Sequence, residues 1–250
     1  MTNTDPVIGA RHLAKRFGHV EALRDASLSV PAGKVVALVG DNGAGKSTLM
    51  KTLLGINRPD SGEVIIAGES VELTSVRDAQ ARGVDAVHQD LALAPDLSVV
   101  DNMFLGHETV VGPGILKRRQ MAERTDEALR ELGIRLPSLS VAVRELSGGQ
   151  RQAVAVAKAV MWSRTAVLMD EPTAALGARQ SEIISELMRT VAAKGLGVLV
   201  ISHDLPRILK AADSVTVLWR GETVLDAPAS DLTVPDLVAT MVGYRAEEAS

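Results

Sequence analysis

One nine-residue stretch constrains this chain more than anything else in it. Gly40-Asp41-Asn42-Gly43-Ala44-Gly45-Lys46-Ser47-Thr48 fits the spacing G-x-x-x-x-G-K-[ST] of a phosphate-binding loop. The residues before it, Val35-Val36-Ala37-Leu38-Val39, form a short β-branched apolar run and read as a buried strand. Those after it, Thr48 to Leu54, read as a helix stopped at Gly55. Strand, glycine-rich loop and helix is the arrangement that gives this spacing its meaning. Glycines let backbone N–H groups face phosphate oxygens with no side chain between them. The helix N-terminus adds a favourable potential for an anion. Lys46 is then expected to reach the β- and γ-phosphates of a nucleotide, and the Ser47 hydroxyl to ligate Mg²⁺.

A chain of 250 residues can form one large domain or a domain with an inserted lobe. No apolar run approaches the roughly 20 residues that span a bilayer, so a membrane role would require a partner. Met1 to Pro6 lack the basic and apolar regions of a signal peptide, and no leader is expected. Cys is absent, which excludes disulfides, thiol chemistry and a cysteine–zinc site. A net charge of -4 gives no reason to expect a nucleic-acid partner.

Three further strands deliver polar side chains to their C-terminal ends, where ligands bind in open α/β sheets. Val84-Asp85-Ala86-Val87 leads to His88-Gln89-Asp90, which places Gln89 to touch Mg²⁺ or an attacking water. Ala166 to Met169 leads to Asp170 and Glu171. Asp170 is expected to hold Mg²⁺ as the acidic partner of the loop. Glu171 is expected to orient and deprotonate a water in line with the γ-phosphate. Gly197 to Ser202 ends at His203, whose imidazole is expected to hydrogen-bond a γ-phosphate oxygen.

The remaining segments frame these. Val7 to Phe17, Ala22 to Val30 and Glu63 to Ala67 read as strands, and Val215 to Trp219 with Glu222 to Leu225 as a hairpin. Ser75 to Arg82, Arg179 to Lys194 and Val234 to Val242 read as helices, with a polar tail from Ala246 to Ser250. Phe17, at a strand end, reads as core by residue type; exposed, it would stack on an adenine. Between about residues 91 and 163 helical periods take over. There Val99 to Leu105 forms a helix capped by Ser98, and Gly106 to Gly114 a loop. A second helix carries Met121, Thr125, Ala128, Leu129 and Leu132 on one face. Leu146-Ser147-Gly148-Gly149-Gln150 then opens a third, with Ser147 as N-cap and free N–H groups for a second anion.

Taken together, these motifs resemble the ATP-binding subunit of an ABC transporter over nearly the full chain. The resemblance makes Gly40 to Thr48 the Walker A loop, Gln89 the Q-loop Gln and Leu146 to Gln150 the signature. Asp170 ends Walker B, Glu171 is the catalytic Glu, His203 the switch His, and Phe17 the adenine-stacking aromatic. It implies an α/β fold: a P-loop NTPase (RecA-like) core, about 1–90 and 164–250, an N-terminal antiparallel β subdomain, and an α-helical lobe inserted at about 91–163. It also implies that two such subunits close head to tail around ATP and Mg²⁺, with Ser147, Gly148, Gly149 and Gln150 of each facing the other's nucleotide. The cleft near Gln89, with Leu91, Leu93 and Leu97, would receive an integral-membrane permease at the cytoplasmic face of the inner membrane. A solute-binding protein would act indirectly. Ala174-Ala175-Leu176-Gly177 departs from the family in carrying Gly where Asp usually follows. Either that site is tuned differently or a heterodimeric partner supplies part of it, and the second subunit is a second copy or such a partner. That run, with His88 to Leu93 and His203 to Pro206, resembles the monosaccharide importers of ribose, xylose and fructose type. Importers of other solutes, such as branched-chain amino acids, and non-transport members are the alternatives.

Overall fold

The computed structural model describes residues 6–111, 114–174 and 176–243. The polar tail and Ala175 lie outside the described residues. The chain begins with β1 (Ile8–Phe17), β2 (Val20–Val30), β3 (Val35–Val39) and helix α1 (Lys46–Leu53). It continues through β4 (Ser61–Ile66), β5 (Glu69–Val71), α2 (Val76–Ala81), β6 (Val84–Val87) and α3 (Val99–Phe104). Then come β7 (Val110–Val111), β8 (Ile115–Leu116), α4 (Arg118–Glu131) and α5 (Gly148–Trp162). The remainder is β9 (Ala166–Asp170), α6 (Ala178–Ala193), β10 (Gly197–Ile201), α7 (Leu205–Ala211), β11 (Ser214–Trp219), β12 (Glu222–Pro228) and α8 (Val234–Met241).

Ten strands form one curled sheet in the order β5-β4-β1-β2-β12-β11-β3-β10-β9-β6. Its first four strands are antiparallel neighbours. The last five, β11-β3-β10-β9-β6, run parallel. The two halves meet through a single parallel pairing, Asp25 with Glu222.

Period-two alternation in β3 explains why its five residues are all apolar. Val35, Ala37 and Val39 enter a core shared with α3 to α8. Val36 and Leu38 enter a second core, where Leu49, Met50 and Leu53 of α1 meet Ile8, Leu13, Leu23 and Leu28 of the antiparallel half. A strand covered on both faces has no solvated side to carry polar residues. On α4, Met121, Thr125 and Leu129 are buried at helical spacing. Ser98 caps α3 by accepting the Asp101 N–H at 3.1 Å.

Two local expectations are corrected, and one helix is added. Helix α1 starts at Lys46 rather than Thr48, because left-handed Gly45 already turns the chain into it. The loop expected from Gly106 to Gly114 contains β7, which pairs with β8. Helix α7, unforeseen, is nucleated by Asp204, whose carboxylate accepts the Arg207 N–H at 3.2 Å, with a proline in its first turn.

Candidate functional site

The parallel strands end level with one another. Leu38 of β3 pairs with Ile201 of β10, Ile201 pairs with Asp170 of β9, and Met169 pairs with Val87 of β6. The residues that follow each strand therefore emerge on one edge. These are the loop from Gly40, Asp170 with Glu171, Ser202 with His203, and His88 with Gln89.

Loop geometry depends on two glycines. A Cβ at Gly40 would lie 2.2 Å from the Leu218 carbonyl oxygen, and one at Gly45 2.5 Å from that of Ala22. Gly45 also sits at φ 108, which side chains rarely tolerate. A Cβ at Gly43 would meet nothing within 4 Å, so this backbone faces open space. At the start of α1 the N–H groups of Lys46, Ser47 and Thr48 have no intrahelical acceptor, and Gly45 offers no side chain to cap them. Lys46 is buried and folds back over the loop. Its Nζ donates to the carbonyl oxygens of Gly40 at 2.8 Å and Asp41 at 3.0 Å. Burial lowers the Lys46 pKa, and the charges of Glu171, Asp41 and Asp170 oppose that shift.

At the neighbouring strand end, His203 Nε2 lies 2.7 Å from Glu171 Oε1, a distance at which an imidazole N–H donates to a carboxylate. Glu171 adopts φ 49, which turns its side chain out of the line of β9. Its N–H still donates to the Ile201 carbonyl at 3.0 Å. Asp170 has its pKa raised by burial first and by the Glu171 charge second; His88, Lys46 and Lys51 pull the other way. His88 is thus within electrostatic reach of Asp170, although the motifs pointed to its neighbour. Gln89 itself is exposed beyond β6.

Phe17 is 47% exposed, with Lys15 Nζ 5.5 Å from its ring centroid. Its reading as core by residue type is overturned, because β1 runs past the covered part of the sheet before Phe17 is reached.

Ser147 and Gln150 form a reciprocal cap at the start of α5. Ser147 Oγ accepts the Gln150 N–H at 3.3 Å, and Gln150 Oε1 accepts the Ser147 N–H at 2.9 Å. A cleft of about 470 Å³ opens beside Ser147 and Gly149, lined by Ile134, Gln180 and Ile183 but by no residue of the loop 40–48. The chain thus presents two separate places where N–H groups begin a helix.

For Mg²⁺, Ser47 Oγ and the Asp170 carboxylate on this edge are hard oxygen donors of the kind that ion takes, with phosphates completing its shell. The cost of Asp170 ionisation, seen in its raised pKa, is what a cation there would offset. Among the described residues no cluster of three His, Asp or Glu could hold a metal without such help. The donor set therefore fits an ion that arrives with a nucleotide.

A mixed sheet whose parallel strand ends surround a phosphate-binding loop defines a P-loop NTPase cassette. The ABC transporter family profile matches residues 23–174, and the chain belongs to that family. A xylose/arabinose import ATP-binding protein of Sulfolobus acidocaldarius is 42% identical over 234 residues, 94% of this chain and 93% of that one. A fructose import ATP-binding protein of Rhizobium meliloti is 40% identical over 96% of this chain and 95% of its own. Among solved structures, an ATP-binding cassette of an ABC transporter superposes with a TM-score of 0.82, at 25% identity over 96% of this chain and 98% of that one. A dimeric cassette bound to ADP and Pi superposes at 0.74, with 24% identity over 89% of this chain and 98% of that one. Among the described residues no helix is long and apolar enough to cross a membrane.

Proposed function

We propose that this chain binds and hydrolyses ATP to energise a membrane importer of a monosaccharide. The observation that carries the reading is the level edge of parallel strands, which gathers Lys46, Asp170, Glu171 and His203 beside one phosphate-binding loop. The import of xylose, arabinose and fructose by the relatives supports the solute class.

On this reading the loop N–H groups from Asn42 to Thr48 hold the phosphates. Lys46 Nζ exchanges its carbonyl partners for β- and γ-phosphate oxygens, which lets a buried cation meet anions without crossing solvent. Ser47, Asp170 and Gln89 hold Mg²⁺, which neutralises phosphate charge when bound. Glu171 orients a water and accepts its proton on a carboxylate oxygen. His203 fixes the Glu171 carboxylate through Nε2 and reaches the γ-phosphate edge. Phe17 stacks on the adenine face.

A second subunit of the same kind supplies Ser147 to Gln150 to the nucleotide, which accounts for two anion sites in one chain. Closure of the pair expels water and completes the site. Residues 91–163 act as a lobe on the core of 1–90 and 164–250. Permease subunits seat in the cleft near Gln89, at the cytoplasmic face of the inner membrane, and a solute-binding protein acts through them.

The test is phosphate release by the subunit reconstituted with its permease in liposomes. Monosaccharide with its binding protein is expected to stimulate release. Stimulation by a branched-chain amino acid, and by no sugar, would overturn the solute assignment.

A further inference from the structure

Gln180 touches two parts of the site that no motif connects. Gly177 is the N-cap of helix α6 and has no side chain to cap it; Gln180 Oε1 instead folds back and accepts the Gly177 N–H at 3.3 Å. The stem of the same side chain lies against α5. A Cβ at Gly149 would sit 3.1 Å from Gln180 Cγ and 3.3 Å from its Cβ, so the signature backbone packs directly on this side chain. Leu176 makes the adjoining contact, with Cδ2 3.6 Å from where a Cβ at Gly148 would lie. The Gly177 turn continues the segment that leaves β9 at Glu171, through the turns Ala174 N–H to Glu171 O and Leu176 N–H to Thr173 O. Gln180 therefore bridges the segment carrying Glu171 and the helix start carrying Ser147 and Gly149.

We propose that Gln180 is a positioning residue that ties the Gly177 turn to the signature glycines, so that each subunit's hydrolytic segment and its partner-facing segment move as one. The inference rests on the two-subunit reading above. In that arrangement Glu171 serves the subunit's own ATP and Gly149 the partner's, so a rigid link between them couples the two sites. It also supplies a cap for α6 that an acidic residue at Gly177 would otherwise provide.

The experiment is ATP-driven dimerisation of the full-length Glu171→Gln chain by light scattering, alone and combined with Gln180→Ala, Gln180→Met or Gln180→Glu. Methionine keeps the stem against Gly149 and removes the acceptor, so it remains informative if the alanine chain fails to fold. Glutamate keeps both length and acceptor. Alanine and methionine are expected to weaken dimerisation at least about fivefold, the low end of ordinary inter-site coupling, and glutamate to restore it. Affinity of the dilute monomer for a fluorescent ATP analogue is expected to match the parent's in all three Gln180 variants. Dimerisation of the alanine and methionine chains at the parent's level would overturn the proposal. So would a glutamate chain as impaired as alanine, or a parallel loss of monomer affinity. A parent that binds ATP but never dimerises would remove the two-subunit reading and this inference together.

Discussion

Asp170 sits half withdrawn from water beside Glu171, and its raised pKa has a consequence for stability. The folded protein holds this proton more tightly than the unfolded chain does. Ionising Asp170 therefore costs stability as pH rises through its folded pKa, and the cost is absent well below it. Asp170→Asn is expected to raise the Tm of the nucleotide-free protein most at about pH 8, with the gain shrinking as pH falls through the raised pKa. Thermal unfolding across that range checks the sign; a lower Tm at alkaline pH would contradict it. Phe17 supplies a second test. Because this residue is about half exposed, Phe17→Ala is expected to change stability by under about 0.5 kcal/mol while weakening ATP affinity by about 1 kcal/mol or more. Calorimetry with thermal unfolding separates the two, and unchanged affinity would remove the stacking role. Residue types announced Lys46, Asp170, Glu171 and His203, because each follows a recognisable strand or loop. The Glu171–His203 contact was not legible, since it depends on the register of β9 against β10. Nor was the exposure of Phe17, which depends on where the sheet's cover ends.

Elements near the site were legible where local chemistry alone decides them. Ser147 followed by Gln150 three residues on is a helix start whatever surrounds it, and the structure forms both halves of the cap. Ser98 is the same kind of signal. Helix α7 was not legible because its seven residues span only about two turns and its cap, Asp204, follows almost directly on the end of β10. The three-residue β5 and the paired two-residue strands β7 and β8 lie below the length at which alternation can be counted. At this scale the loop glycines divide by role. Gly45→Ala forces a Cβ against the Ala22 carbonyl at φ 108, and is expected to cost about 1 kcal/mol or more, roughly 2–4 °C in Tm for a chain of this size. Gly43→Ala meets no neighbour. Gly43 also has a positive φ, 81, so strain remains without a clash; the variant is expected to lose less stability than Gly45→Ala and, on the proposed function, to lose nucleotide affinity by crowding the bound phosphates. Titration of ATP into both variants, with their unfolding curves, tests this split; a Gly43→Ala chain with full affinity would contradict it.

At the scale of the whole molecule, the sheet is one continuous surface built from two kinds of strand pairing, joined at Asp25 and Glu222. Helix α1 sits where both halves contribute side chains to one core, so the phosphate-binding loop is anchored from two sides. No local pattern in β2 or β12 announces that join; only the closed packing of the two halves requires it. The parallel half then does what its topology allows, which is to bring residues far apart in sequence to a common edge. That edge is the basis of the central claim, that Glu171 acts on a nucleotide bound by the loop 40–48. The most direct measurement compares ATP binding and ATP hydrolysis by the native chain and by Glu171→Gln under identical conditions. The variant is expected to bind ATP with native affinity and to hydrolyse it at least about 100-fold more slowly, the ordinary contribution of a general base. Hydrolysis by Glu171→Gln at the native rate would contradict the account.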